Sequence, residues 1–187
     1  SWNAFQWLSN EKVLIIGSGP SLIKNKLKVI NFINKHKPKV IFLNINKIFD
    51  EKIATATIAC HEARILGDLK MYQNLKNPLI IPFSNLNQSI KKTLNKNKVL
   101  DYSLTLKDNT FEINHRGCML KWPLAIAYAL SVVTIGNPKI IYLAGFDGYQ
   151  NKYDDRQVKM NEVFNLYKKI PNKAKLSLLT KSTYNIK

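Results

Sequence analysis

Short apolar runs bounded by turn residues recur along the chain and set its frame. Val13–Ile16, Lys39–Leu43, Ala54–Cys60, Pro78–Phe83, Ile140–Ala144 and Lys175–Leu179 are short and rich in aliphatic or β-branched residues. Runs of this kind mark strands buried on both faces, as in a parallel sheet. They predict strands over 12–16, 39–43, 54–60, 79–83, 140–144 and 175–179. Val99–Leu106 alternates weakly and reads as an edge strand or extended segment, followed by a turn at Lys107-Asp108-Asn109 and by Thr110–Ile113. Between most of these runs the spacing turns helical. Leu22, Ile23, Leu27, Ile30 and Ile33 predict a helix from Ser21 to about Lys35. Further helices are predicted over Ile65–Asn74, over 85–95 with Ser84-Asn85 as its N-cap, over Trp122–Ile135, and from Met160 through Tyr167 to Ile170. The helix after Trp122 is apolar on most sides, so it is expected to be buried, with Ala125, Ala127 and Ala129 letting it press close to the sheet. Strands alternating with helices predict an α/β fold: a Rossmann-like open, mostly parallel sheet with helices on both faces.

Ligands of such a sheet bind outside the carboxyl ends of its strands. The first strand runs directly into Gly17, Ser18, Gly19, Pro20 and Ser21. Two glycines permit a tight turn and close backbone approach, and Pro20 suits a first helical turn. Strand, glycine turn and helix start predict a phosphate or nucleotide site built from free N–H groups. The turn is not a Walker A loop, because no Gly-Lys-Ser/Thr closes it, and Leu22 stands where a third glycine of G-x-G-x-x-G would be. Asn44 and Asn46 follow the second strand, as groups that hydrogen-bond a base, ribose or phosphate or as turn residues. His61 and Arg64 follow the third strand, and suit a phosphate or an acid–base role. His115 and Arg116 form a polar patch before the apolar helix, either facing a ligand or decorating a loop. The strand at 140–144 ends in Gly145-Phe146-Asp147-Gly148-Tyr149. There Asp147 either holds a sugar hydroxyl, a base or Mg²⁺, or caps the next helix, and Tyr149 can donate to a phosphate.

Charge changes the picture less than its size suggests. The net charge of +17 comes from 26 Lys against only 3 Arg, scattered rather than interleaved with aromatics. Specific nucleic-acid readers favour Arg forks, so a general pull on phosphorylated or acidic ligands is expected, not nucleic acid. Cys60 and Cys118 form no C-x-x-C, and with three His no zinc spacing arises, so no metal site and a cytoplasmic, reducing setting are expected. No run approaches the ~18–20 apolar residues of a membrane span. The chain opens on Ser-Trp-Asn-Ala-Phe-Gln-Trp, without an initiator Met or a signal-peptide pattern. Residues 1–10 therefore read as a linker remnant. Residues 11–187 are expected to form one nucleotide-binding domain, the C-terminal part of a longer protein.

Ile15–Leu22 (Ile-Ile-Gly-Ser-Gly-Pro-Ser-Leu), Ala125–Leu130 (Ala-Ile-Ala-Tyr-Ala-Leu) and Ile141–Gln150 (Ile-Tyr-Leu-Ala-Gly-Phe-Asp-Gly-Tyr-Gln) resemble the bacterial lipooligosaccharide sialyltransferases, glycosyltransferase family 42. The Gly-x-Gly-Pro-Ser turn is also similar to the opening of the 6-hydroxymethylpterin diphosphokinase family. Ala59-Cys60-His61, Leu143–Tyr149 and Asp155-Arg156-Gln157 resemble, over most of the chain, the C-terminal domain of aldolase-type proteins of surface-polysaccharide synthesis. The sialyltransferase resemblance implies a metal-free transferase with a CMP-sugar donor. The Gly17–Ser21 turn would hold its nucleotide, Asn44 would lie on the sugar or nucleotide, and Tyr149 with Tyr153 would steady the leaving phosphate. Those enzymes take the acceptor proton with a His in a C-terminal lid. This chain has no His after His115, and Trp122-Pro123 stands near where their Ser-Gly pair precedes the alanine-rich helix. His61, His115 and Asp147 are therefore the candidate bases. The diphosphokinase alternative implies Mg²⁺ and ATP, with Asp147 or Asp101 on the metal. The third alternative is a non-catalytic module on an aldolase-like partner domain. A homo-oligomer and a location at the inner membrane face are compatible with all of these.

Overall fold

In the computed structural model, which describes residues 1–94 and 98–186, Lys12–Ile16 (β1) lies at the middle of a parallel sheet. On one side follow Lys39–Leu43 (β2), Ala56–Ile58 (β3), Leu79–Ile81 (β4) and Val99–Asp101 (β5). On the other side lie Ile140–Ala144 (β9) and then Leu176–Leu178 (β10). Every pairing is parallel, and β1 sits in full register between β2 and β9, with Ile15 opposite both Ile41 and Leu143. The order 10-9-1-2-3-4-5 reverses direction between β1 and β9, which makes their carboxyl ends the topological switch point.

Alternate residues of the sheet feed opposite faces, as the strand period of two dictates. Val13, Ile15, Ile41, Ile58 and Leu143 pack on Ala125–Ile135 (α6) and Asp155–Tyr167 (α7). Leu14, Ile16, Val40 and Phe42 face Ser21–Lys24 (α1) and Lys26–His36 (α2). Further along that face, Ala59, Leu79 and Ile81 pack with Glu62–Gly67 (α3), Leu69–Gln73 (α4) and Gln88–Thr93 (α5). The expected α/β sheet with helices on both faces is therefore present.

Several expectations change. The extended stretch after Val99 divides between two sheets. Ser103–Leu106 (β6) joins Phe111–Asn114 (β7) and Gly117–Leu120 (β8) in a small second sheet of order β6-β8-β7 over α6. The residues read as a polar patch before a helix, 115–118, are instead the turn between β7 and β8 and the start of β8. The first helix is broken at Asn25, whose side-chain amide donates to the Ser21 carbonyl at 2.9 Å. Leu27 then points outward, 76% exposed, and Val29 takes the buried position. Asp68 separates α3 from α4, and Asn87 rather than Ser84 caps α5, accepting from the Ile90 N–H. The expected end of that helix at residue 95 lies outside the described residues. Pro123 lies outside α6, before its extended N-cap Leu124, and α7 starts at Asp155, ahead of the Met160 from which the helix is expected. Residues 1–10 are packed, not loose. Ala4 and Leu8 are buried, the Ala4 N–H donates to the His115 carbonyl, and the Trp7 indole donates to the Val132 carbonyl at 3.3 Å. Among the described residues no helix is long and apolar enough to cross a membrane. Cys60 and Cys118 are buried free thiols, and burial pushes the Cys118 thiol up to about 12.

Candidate functional site

A crevice of about 540 Å³ opens at the switch point. One wall is the β1 turn, Gly17–Pro20, and beside it runs the β9 loop, Gly145–Tyr149. Asn44 at the end of β2, and His61 and Arg64 at the start of α3 just after β3, continue the rim. The start of α6 at Leu124–Ile126 and the α7 residues Asp155, Arg156, Lys159 and Met160 face them, with Tyr184 from the C-terminal strap.

The two glycine loops are bound to each other. Gly17 N–H donates to the Ala144 carbonyl and Gly19 N–H to the Gly145 carbonyl, both at 2.9 Å. Ser21 N–H donates to Asp147 Oδ2 at 2.7 Å, and the Ser21 hydroxyl donates to Asp147 Oδ1. Asp147 thus caps the start of α1 from a distant loop. Of the turn's N–H groups expected to be free for a phosphate, only that of Ser18 is without a partner among the described residues: Gly17 and Gly19 donate to the β9 loop, Pro20 has none, Ser21 is held by Asp147, and Leu22 and Ile23 donate to the Gly19 and Pro20 carbonyls. The anion favoured at this position is the chain's own carboxylate. The glycines follow from this closeness. A Cβ on Gly17 would stand 2.7 Å from the Gly145 carbonyl oxygen, and one on Gly19 would stand 2.7 Å from the Asp147 carboxyl carbon. Gly145 and Gly148 have φ of +74° and +84°, which L side chains rarely adopt.

The C-terminal strap locks the β9 loop from outside. Thr180 Oγ1 accepts from Gly145 N–H, and Thr183 N–H donates to the Asp147 carbonyl. Buried Gln157 accepts from the Tyr149 N–H at 2.8 Å and donates to the Thr183 carbonyl at 3.1 Å. Arg156 stacks 4.1 Å above the Tyr149 ring while its guanidinium grips Asp154 through two bonds, at 2.7 and 3.0 Å. The Arg156 guanidinium pulls the Asp154 carboxyl down to about 2, and burial raises the Tyr184 phenol to about 12. Lys159 pairs with Asp155 at 2.6 Å and lies over the Trp122 ring.

The β3 end differs. His61 and Arg64 are exposed to the crevice, and among the described residues neither side chain has a hydrogen-bond or ion-pair partner. Asn44, held in left-handed backbone at φ 57°, has its side-chain oxygen buried with no hydrogen-bond partner.

Of the expected site residues the crevice gathers Gly17, Ser18, Gly19, Pro20, Asn44, His61, Arg64, Gly145, Asp147 and Tyr149, with Ser21 directly behind it. It does not gather the others. Asn46 accepts from the Ile48 and Phe49 N–H groups and donates to the Gly17 carbonyl, so it builds the β2 turn. Tyr153 is 78% exposed outside the crevice, with Lys152 over its ring. His115 stacks on Phe5 at 4.3 Å, and Arg116 sits beside it in the β7–β8 turn, both away from the switch point. Asp101 accepts from Ser84, in the turn after β4, and does not line the crevice either. Among the described residues no group of three or more His, Cys, Asp or Glu is placed to hold a metal. A larger open groove of about 850 Å³, lined by Phe5, Asn109, Ile135, Asn137 and Asn172, contains none of the glycine-turn residues. Arg156, Lys159 and Tyr184 are the site residues that the sequence reading passes over. Asp154 followed by Asp155 and a run with apolar positions at 160, 163 and 164 was the available helix-start signal. No protein-family model, curated protein or solved structure matches this chain.

Proposed function

We propose that this domain binds a nucleotide or nucleotide-sugar in the β1–β9 crevice and acts as a glycosyltransferase-type enzyme in surface-polysaccharide synthesis. The observation that carries the reading is the meeting of two glycine-bearing strand ends at the topological switch point, over a crevice of about 540 Å³. That volume lies within the ~300–1,000 Å³ of small-molecule sites. With a CMP-sugar donor, the acceptor hydroxyl oxygen attacks the anomeric carbon. The anomeric carbon–oxygen bond to the phosphate breaks, and its electron pair leaves with CMP. His61, the crevice-lining His, takes the acceptor proton. Tyr149 and Arg64 steady the departing phosphate. Asp147 is not given the proton, because both its oxygens hold Ser21. Such an activity fits the cytoplasmic face of the inner membrane.

A thermal-shift series with CMP, CDP, UDP, ADP and ATP tests the binding step. Stabilisation by CMP at millimolar concentration without added metal is expected. No stabilisation by any of them overturns the reading. A second reading, a binding module without turnover attached to an aldolase-like domain, draws support from His61. Among the described residues it lacks the partner that orients a catalytic imidazole. Binding of CMP without CMP release from a CMP-sugar, across a panel of acceptors, selects the module.

A further inference from the structure

The crevice is lined by three cationic side chains, Arg64, Arg156 and Lys159. Two of them are already neutralised: Arg156 by a bidentate bond to Asp154, and Lys159 by Asp155 at 2.6 Å. The helix start beside the glycine turn is neutralised too, by Asp147. Arg64 has no ion pair among the described residues, and His61 beside it donates to nothing. The nearby carboxylate of Glu62 accepts instead from the backbone and side chain of Asn87. Between this uncompensated charge and the turn lies Asn44, whose buried side-chain oxygen lacks the donor that buried acceptors almost always have.

We infer that the ligand's anionic group is held by Arg64, in the first turn of α3 just past the carboxyl end of β3 and two strands from the glycine turn, which leaves the neighbouring His61 as the base. The ligand's neutral part lies along the turn beside Asn44 and donates a hydroxyl or amine hydrogen bond to the side-chain oxygen, which a side-chain rotation brings out of its buried position. Two strand spacings set ~10 Å between the turn and the β3 end, room for a pentose and the phosphate it carries. The ligand class is a phosphorylated sugar or nucleoside read from both ends: guanidinium fork to phosphate, and carboxamide to a hydroxyl. The glycine turn shapes this site by letting the β1 and β9 loops close on each other. This inference rests on the nucleotide reading above for what the neutral part is, and not for where the anion sits.

Inorganic pyrophosphate is the probe for the anion. Calorimetric titrations of the whole chain are run at constant ionic strength, with sulfate as the control for the general pull of a +17 protein. Arg64→Ala is expected to weaken pyrophosphate tenfold or more, Arg64→Lys to recover part of the loss, and Ser21→Ala to leave it within twofold. Arg64 is exposed, so its variants are expected to fold, which circular dichroism checks. Asp147→Ala vacates the turn. If the turn were the anion site, that variant would bind pyrophosphate more tightly and Arg64→Ala would change nothing, which overturns the inference. CMP that binds equally well with and without Arg64 overturns the inference and leaves the proposed function standing. Binding of neither pyrophosphate nor any nucleotide overturns both.

Discussion

The two walls of the crevice are built on different principles. On the β1–β9 wall most polar groups are committed: Gly17 and Gly19 donate across to Ala144 and Gly145, Ser21 to Asp147, and Thr183 to the Asp147 carbonyl, which leaves Ser18 as the turn residue without a partner among the described residues. Beyond that wall, the His61 and Arg64 side chains after β3 and the Asn44 oxygen at the end of β2 have no hydrogen-bond or ion-pair partner among the described residues. The conspicuous motif is therefore the rigid part, and the inconspicuous residues are the open valences. Glycines mark where backbone approaches backbone, and that approach need not be toward a ligand. Unpaired buried or crevice-facing polar groups point more directly at what is bound.

Substitutions can break this contrast. The largest loss of stability is expected for Gly145→Ala, which places a Cβ 2.5 Å from Leu22 at φ +74°. Strain plus overpacking should cost about 3 kcal/mol, read from the urea midpoint. Asp147→Ala comes next. It removes a charge-assisted latch and should cost about 2 kcal/mol by the same measurement. Arg64→Ala should move stability by less than about 0.5 kcal/mol, because nothing in the fold leans on it, yet abolish the preference for a nucleoside monophosphate over its nucleoside. The pairing of a large binding effect with a negligible stability effect on one wall, and the reverse on the other, is the expected pattern.

The smallest effect concerns acid. Arg156 lowers the Asp154 carboxyl from the ordinary 3.8 to about 2. The folded chain therefore holds that site's proton less tightly than the unfolded chain does. The stabilisation it gives is complete above about pH 4 and disappears as pH falls toward 2. Asp154→Asn should flatten that part of the acid limb by lowering stability slightly above about pH 4, a small loss because the pair is largely exposed, and leave stability near pH 2 unchanged. Stability measured between pH 4 and pH 2 checks it.

Much of the frame is legible in the sequence. The runs at 12–16, 39–43 and 140–144 read as strands with the observed bounds because a central parallel strand buries both faces. The shorter strands β3, β4 and β10 end earlier than their apolar runs, where the chain turns into its next element. The small sheet is not legible. β6 pairs in parallel with β8 across the β7 hairpin, and Ser103, Thr105, Glu112 and Asn114 give no signal of which strand meets which. The packing of Ala4, Trp7 and Leu8 depends on the distant residues of α6, so a stretch read as a linker contributes two buried residues, Ala4 and Leu8, to the core. For the site, strand-end position identified Gly17, Asn44, His61, Arg64 and Asp147, since the sheet's polarity brings such ends together. Whether each faced a ligand or a neighbour was not legible, because the Asp147–Ser21 contact spans 126 positions.

The central claim is that ligand enters the switch-point crevice, and the chain's seven glycines make it directly measurable. Selective ¹⁵N-glycine labelling and titration with CMP should move the amide signals of Gly17, Gly19, Gly145 and Gly148, which line the crevice, and leave those of Gly67, Gly117 and Gly136 still. Movement of Gly117 or Gly136 with the crevice glycines unmoved, or no movement of any glycine up to millimolar CMP, would contradict the account.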